Sequence, residues 1–170
     1  MQTFLTSKSF SETARSLDNL RLNKQALEAW QILMTNLRLT PDGLPRQGKG
    51  WVSHPAVKMW TGCDLLLLDY IGAMVLEWER RGFKSTIAVK ATETIQFAKE
   101  QGLLYDQGNK PEWMSNQEIL KEVTSSHRRA LLVKNYDWYK QFGWSEDVGT
   151  RQDTYEYVWV ESGVINPLSK

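Results

Sequence analysis

One cysteine and two histidines are all that 170 residues contain of either type, and the scarcity removes whole classes of chemistry. A lone Cys63 cannot form an internal disulfide, which fits a reducing compartment. With only His54 and His127 beside it, a His/Cys metal centre lacks ligands. No run of clustered acids marks an all-carboxylate site for a hard cation. Long apolar runs are missing too. The best, Leu65 to Leu76, is broken by Asp69, and the N-terminal residues lack the charged-then-apolar pattern of a secretory leader. The P-loop, GxGxxG, GxSxG, HExxH and paired CxxC signatures are all absent.

What remains is a globular composition, with 41% hydrophobic and 24% charged residues. The length suits one domain with a sizeable core, expected to span residues 1–170. The net charge of +1 conceals an asymmetry. Residues 1–60 carry eight Lys or Arg against four Asp or Glu, whereas residues 61–170 carry thirteen against sixteen. A basic N-terminal third permits a local phosphate-binding face without a high overall pI. Eight tryptophans are a second departure; most should pack in a core, but such rings also offer flat surfaces for stacking.

The expected fold is mostly α: a single compact helical domain with a short extended, aromatic C-terminal segment. A first helix should begin near Ser11 or Asp18 and end near Leu39, ahead of the turn signal Thr40-Pro41-Asp42-Gly43. Residues 40–53 read as a basic loop carrying Arg46 and Lys49, either a connector or a strand along a phosphate backbone. A second helix should open at His54-Pro55 and run to Arg81, stopping at Gly82. A third covers 86–100. A capping box at Ser115–Glu118 opens another, which either continues through Ser126-His127-Arg128-Arg129 or restarts there with Ser125 or Ser126 as cap. His54 is a helix cap or a ligand contact. The SSHRR run is a phosphate-binding helix N-terminus or a basic surface turn.

The run Asp18 to Gln31, DNLRLNKQALEAWQ, carries the most specific pattern. Helical spacing puts Arg21, Lys24, Gln25 and Glu28 on one face, while Leu22, Ala26, Ala29, Leu33 and Leu37 form an apolar stripe toward a core. A carboxylate among basic and amide groups, near a chain terminus, suits acid–base work on a polyanion; the plain alternative is a solvated i,i+4 ion pair. A terminal α-amine adds to this, since its reference pKa of about 7.7–8.0, against roughly 10.4 for lysine, leaves it nucleophilic near neutrality. An amine with a helix-borne glutamate needs neither metal nor cofactor.

These residues resemble the pyrimidine-dimer DNA glycosylase family of the phage endonuclease V type. Asp18-x3-Leu22-x5-Glu28-Ala29 is similar to the family's N-terminal helix with its catalytic glutamate. HPAVKMW (54–60) followed by EWERRGF (77–83) resembles its central helix, and SHRRALLVK (126–134) with WYKQFGW (138–144) its closing segment. YVW (157–159) and the MQTF start fit a cellular and phage branch. The resemblance implies a glycosylase and abasic-site lyase acting on ultraviolet-induced cyclobutane pyrimidine dimers, or a related damaged or modified base, in double-stranded DNA. A terminal amine would attack C1′, and the resulting Schiff base would permit β-elimination. Carried over, Glu28 is the acid–base residue, with Met1 or Gln2 supplying the amine, and Lys24 a fallback nucleophile. The departure is the Met1-Gln2 start, because a side chain as large as Gln2 disfavours removal of the preceding Met. Arg21, Lys24 and Gln25 would line the same groove, and Arg46, Lys49, His54, His127, Arg128 and Arg129 would contact phosphates or strand. Trp138 and Trp144 would support distorted DNA or else pack internally. The expected state is a monomer without cofactor, in the cytoplasm of a bacterial or phage-infected cell and off the membrane. Two other readings compete: a DNA-binding protein of the same fold without lyase activity, and a helical protein whose basic face docks an acidic partner.

Overall fold

The computed structural model describes residues 1–48, 50–106, 108 and 110–169. Its organising element is α2 (Asn19–Asn36), preceded by a shorter α1 (Phe10–Ser16). Both expected starts of the first helix are used, because Leu17 and Asp18 are extended and split the run in two. Ser9 caps α1 through Glu12 N–H, and Asp18 caps α2 through Arg21 N–H at 2.9 Å. The elbow between them is clamped by a residue 64 positions further along the chain. Arg81 donates to the carbonyls of Leu17 at 2.8 Å and of Ala14 and Arg15 at 3.2 Å, satisfying the open end of α1. Glu77 holds that guanidinium at 2.8 Å. Hydrogen bonds from Arg80, against a smaller effect of burial, bring the Glu77 carboxyl down to about 2.

After α2 the chain reverses at Arg38, whose φ of 58° is left-handed, and residues 38–46 close a small loop. The expected helix 54–81 is two helices, α3 (Pro55–Lys58) and α4 (Asp64–Arg80). The break falls at Gly62, where φ is +71° and the Val164 side chain occupies the space a Cβ would need. The apolar side chains of both nevertheless enter one core. Val57, Trp60, Leu67, Tyr70, Ile71 and Met74 are buried, and α4 packs along α2. α5 (Ile87–Glu100) lies against both.

A short α6 (Glu112–Ser115) leads into α7 (Gln117–Lys134), capped by Asn116, which accepts from Glu118 and Ile119 N–H, rather than by Ser115. α7 continues unbroken through Ser126–Arg129, so the SSHRR run has no helix N-terminus to offer an anion. α8 (Tyr136–Tyr139) runs into one 3₁₀ turn at Lys140–Phe142. From residue 151 to 166 the chain is extended on the helical surface, tied by Val158 N–H to Ser126 Oγ (3.1 Å) and Ser162 N–H to the Lys58 carbonyl (3.1 Å). Among the described residues there is no strand, only an isolated bridge between Leu39 and Pro45. The fold is mostly α. No helix of the described residues is long and apolar enough to cross a membrane.

Candidate active site

Residues 2–6 run extended through the interior, where no strand pairs with them. Their amides are instead taken up one by one by side chains. Gln2 N–H reaches Glu28 Oε2 at 2.9 Å, Thr3 N–H its neighbour's Gln2 Oε1 at 2.8 Å, and Phe4 N–H Gln25 Oε1 at 2.6 Å. Leu5 N–H bonds His127 Nδ1 at 3.0 Å, and Thr6 N–H bonds Thr13 Oγ1 at 3.1 Å. Tyr70 Oη stands between Gln25 Oε1 (2.7 Å) and the Phe4 carbonyl (2.8 Å), and Trp60 Nε1 donates to Thr3 Oγ1 at 2.8 Å. Arg128 closes the segment by donating to the Thr6 carbonyl at 2.8 and 2.6 Å. The segment is immobilised by groups from α1, α2, α3–α4 and α7, and its first nitrogen is delivered to Glu28.

The segment opens into a groove of about 330 Å³, lined by Met1, Gln2, Arg21, Lys24, Gln25 and Glu28 with Lys134, Tyr155 and Tyr157. Arg21 is paired with Asp18 Oδ2 at 2.7 Å and donates to the Lys134 carbonyl at 3.3 Å. Burial works against the charged Asp18, but hydrogen bonds from Arg21 N–H, Asn135 and the Arg21 guanidinium hold it below the usual carboxylate range. Lys24 is exposed. Lys134 Nζ donates to Tyr155 Oη at 2.8 Å, which lowers that phenol's pKa. Glu28 is thus a half-buried carboxylate facing a groove with three basic side chains. Gln2 Nε2 is buried without a partner among the described residues.

The sequence-predicted residues separate into groups. Met1, Gln2, Arg21, Lys24, Gln25 and Glu28 converge on the groove, although Gln25 is buried and spends its carbonyl on Phe4 and Tyr70. Arg46 lines an adjoining cavity that also contains Met1 and Glu28. His54 caps α3, its Nδ1 accepting from Ala56 N–H at 3.1 Å, and its ring lies between Trp51 and Trp159. Burial and the positive chain terminus lower its pKa. His127 is fully buried behind the segment, and burial pushes its pKa down to about 3. Arg128 also faces inward, 3.7 Å from Glu146. Arg129 lines a separate cleft with Glu146, Asp147 and Thr154. Lys49 lies outside the described residues. Trp138 donates to the Ser16 carbonyl at 2.9 Å, and Trp144 stacks on Phe142 and Tyr139, so both are half-buried against the core. Sequence reasoning missed Lys134, Tyr155 and Tyr157. The tyrosines had a signal, their i,i+2 spacing in an extended tail, which puts both on one side.

The model of the pyrimidine dimer DNA glycosylase family matches residues 1–91, more than half of the chain and the part that contains the segment, α2 and Glu28. The chain belongs to that family. A local similarity also joins it to a tRNA dimethylallyltransferase of Prochlorococcus marinus subsp. pastoris (strain CCMP1986 / NIES-2087 / MED4), 34% identical over 73 residues. That stretch is 41% of this chain, and the chain spans about a quarter (24%) of that relative's length. No solved structure matches the chain.

Proposed function

We propose that the chain releases a damaged pyrimidine, a cyclobutane dimer or a related lesion, from double-stranded DNA through an amine at residue 2, and then cuts the strand. The observation that carries this reading is the 2.9 Å hydrogen bond from Gln2 N–H to Glu28 Oε2. While residue 1 is attached, that nitrogen is an amide with a delocalised lone pair. Cleavage of the Met1–Gln2 bond turns it into an α-amine beside a carboxylate.

The chemistry follows from that pair. The amine lone pair attacks C1′ while the C1′–base bond breaks; the base leaves with the electron pair and is protonated by water. The new ammonium gives a proton to Glu28, which passes it to O4′ as the sugar ring opens, leaving a protonated imine at C1′. Glu28 then takes a proton from C2′, the C3′–O bond breaks, and the phosphate departs with that electron pair. Lys24, Arg21 and Lys134 supply positive charge for the flanking phosphates. Residues 1–170 act here as one unit and one copy.

A second reading is a damage-binding protein of the same fold without lyase activity, favoured by the amide character of the Gln2 nitrogen when Met1 is retained. Borohydride trapping separates the two. Protein beginning at Gln2 and protein beginning at Met1 are incubated with ultraviolet-irradiated, abasic and undamaged duplexes. The expected result is an adduct on both damaged substrates, mapped to the Gln2 amine. Binding without an adduct in either form discards the amine chemistry.

A further inference from the structure

The groove beside Glu28 has two walls. One is the face of α2, with Arg21, Lys24 and Glu28, against which residue 2 is laid. The other comes from the last turn of α7 and the outer segment, with Lys134, Tyr155 and Tyr157. The amine chemistry uses the first wall and takes from the second only the charge of Lys134. Tyr155 is left without a task. Its hydroxyl accepts from Lys134 Nζ at 2.8 Å, which leaves its own O–H to donate elsewhere. It is 37% exposed, and the hydrogen bond from Val158 N–H to Ser126 Oγ pins the chain three residues further on. The charged and titratable groups around it are Lys134 on α7, Arg21, Lys24 and Glu28 on α2, and Tyr157, whose ring centroid is 5.1 Å away. The Lys134 hydrogen bond, against a smaller effect of burial, brings the Tyr155 phenol below its ordinary pKa. Tyr157 is its opposite. Burial first, then the neighbouring Tyr155, raises the Tyr157 phenol and makes it the poorer proton donor.

A leaving base needs such a donor. In a cyclobutane dimer C5 and C6 are saturated, so N1 is no longer conjugated around the ring and an anion there is poorly spread. Such a base departs slowly unless it gains a proton as its bond to C1′ breaks, and water is a weak acid for that purpose. We propose that Tyr155 is the general acid that protonates the departing pyrimidine, with Lys134 holding the phenolate that forms. The inference rests on the glycosylase reading above and adds the proton donor. As the Gln2 amine attacks C1′, the C1′–N1 electron pair passes to the base, and the Tyr155 hydroxyl proton passes to O2 of that base. The O–H electron pair stays on the phenolate oxygen beside the Lys134 ammonium, and a proton from water restores the phenol. Only the bond to C1′ is cut, so the base remains joined to its neighbour in the dimer. In this step Lys134 acts through Tyr155 and is a positioning residue.

The test compares Tyr155→Phe and Lys134→Met with the unaltered protein beginning at Gln2, in single turnovers at saturating protein from about pH 6 to 10. Two duplexes are used, one with a cyclobutane dimer and one with a preformed abasic site. Tyr155→Phe keeps the ring and removes the proton. It should slow base release from the dimer by about 10²–10⁴-fold. Cleavage of the abasic duplex should stay within about twofold, since no base is there to protonate. In the unaltered protein, base release should decline as pH rises through the pKa of the phenol, a limb that abasic cleavage lacks. Lys134→Met should move that limb to higher pH, and Tyr155→Phe should erase it. Equal losses on the two duplexes assign Tyr155 to holding DNA and overturn the proposal. So does an undiminished Tyr155→Phe, or a limb that survives in it. If the unaltered protein releases no base from the dimer, the glycosylase reading has failed and the proposal falls with it; an active protein indifferent to Tyr155→Phe overturns the proposal alone.

Discussion

The molecule has two long extended segments, and they are held in opposite ways. Residues 2–6 lie inside, with each amide bonded to a side chain from a helix or from the segment itself. Residues 151–166 lie outside, on a few tethers such as Val158 to Ser126, with Tyr155 and Trp159 exposed. Under the proposed amine chemistry the inner segment carries a nitrogen that has to meet C1′ within a few tenths of an ångström, which a segment held at every amide provides. The outer segment, with few tethers, has the looser mounting.

The comparison breaks most sharply at Glu28. Glu28→Gln keeps the hydrogen bond to Gln2 N–H but removes the base, and strand cleavage should fall by about 10²–10⁴-fold while duplex binding persists. Gel cleavage beside a binding isotherm checks it, and retained cleavage sinks the role assigned to Glu28. Next is Gln25→Ala, which orphans Phe4 N–H in the interior and leaves Tyr70 Oη only the Phe4 carbonyl. It should cost about 2 kcal/mol, lowering Tm by roughly 4–8 °C. A shift below 2 °C would mean the segment is not held as described.

The third prediction concerns pH. His127 is neutral in the fold, with its pKa pushed down from 6.5 to about 3 by burial. The unfolded chain therefore binds a proton that the folded one refuses, so stability is complete above about pH 6.5 and falls as pH drops toward 3. The buried Asp64 carboxyl, raised to about 8 by burial, adds stability as pH falls over the same interval. In denaturant unfolding the His127 share is therefore read as the difference from His127→Gln, which should fall by about 2–3 kcal/mol between pH 6.5 and 4.5. Glu77 adds to this only lower, since its depressed carboxyl stabilises the fold above about 4.5 and stops doing so as pH falls toward 2. A difference that stays flat from pH 7 to 5 would contradict the burial of a neutral imidazole. The smallest effect is expected on the outer segment. Ser126→Ala removes the acceptor for Val158 N–H and should cost about 1 kcal/mol or less. Faster amide exchange at residues 155–160 with an unchanged rate at residues 3–6 would sharpen the contrast; equal acceleration at both would erase it.

What the sequence disclosed was local. The Arg21, Lys24, Glu28 face and the apolar stripe of α2 follow from helical spacing alone, and the helix start at His54 from the proline that follows it. Contacts between remote parts of the chain stayed hidden. His127 and Arg128 read as surface cations because their partners, Leu5 N–H and the Thr6 carbonyl, lie 122 residues away. The start at Asp18 and the glycine at 62 were visible, but what fixes the breaks at Leu17 and Gly62 was hidden for the same reason. One is fixed by Arg81 and the other by Val164, and neither neighbour is visible in the local pattern. Trp51 and Tyr155 joined the neighbourhood of Glu28 only through the fold of a loop and a tail.

The placement of Met1 has a practical side for anyone preparing the protein. It lines both the basic groove and the adjoining cavity, so residues fused ahead of it emerge between Glu28 and the space left for substrate. A purification handle there would act as a plug, and its remnant after cutting as a smaller one. On the proposed amine chemistry, a protease that leaves Gln2 first would hand over an open site, and one that leaves a stub would make an intact fold look inert.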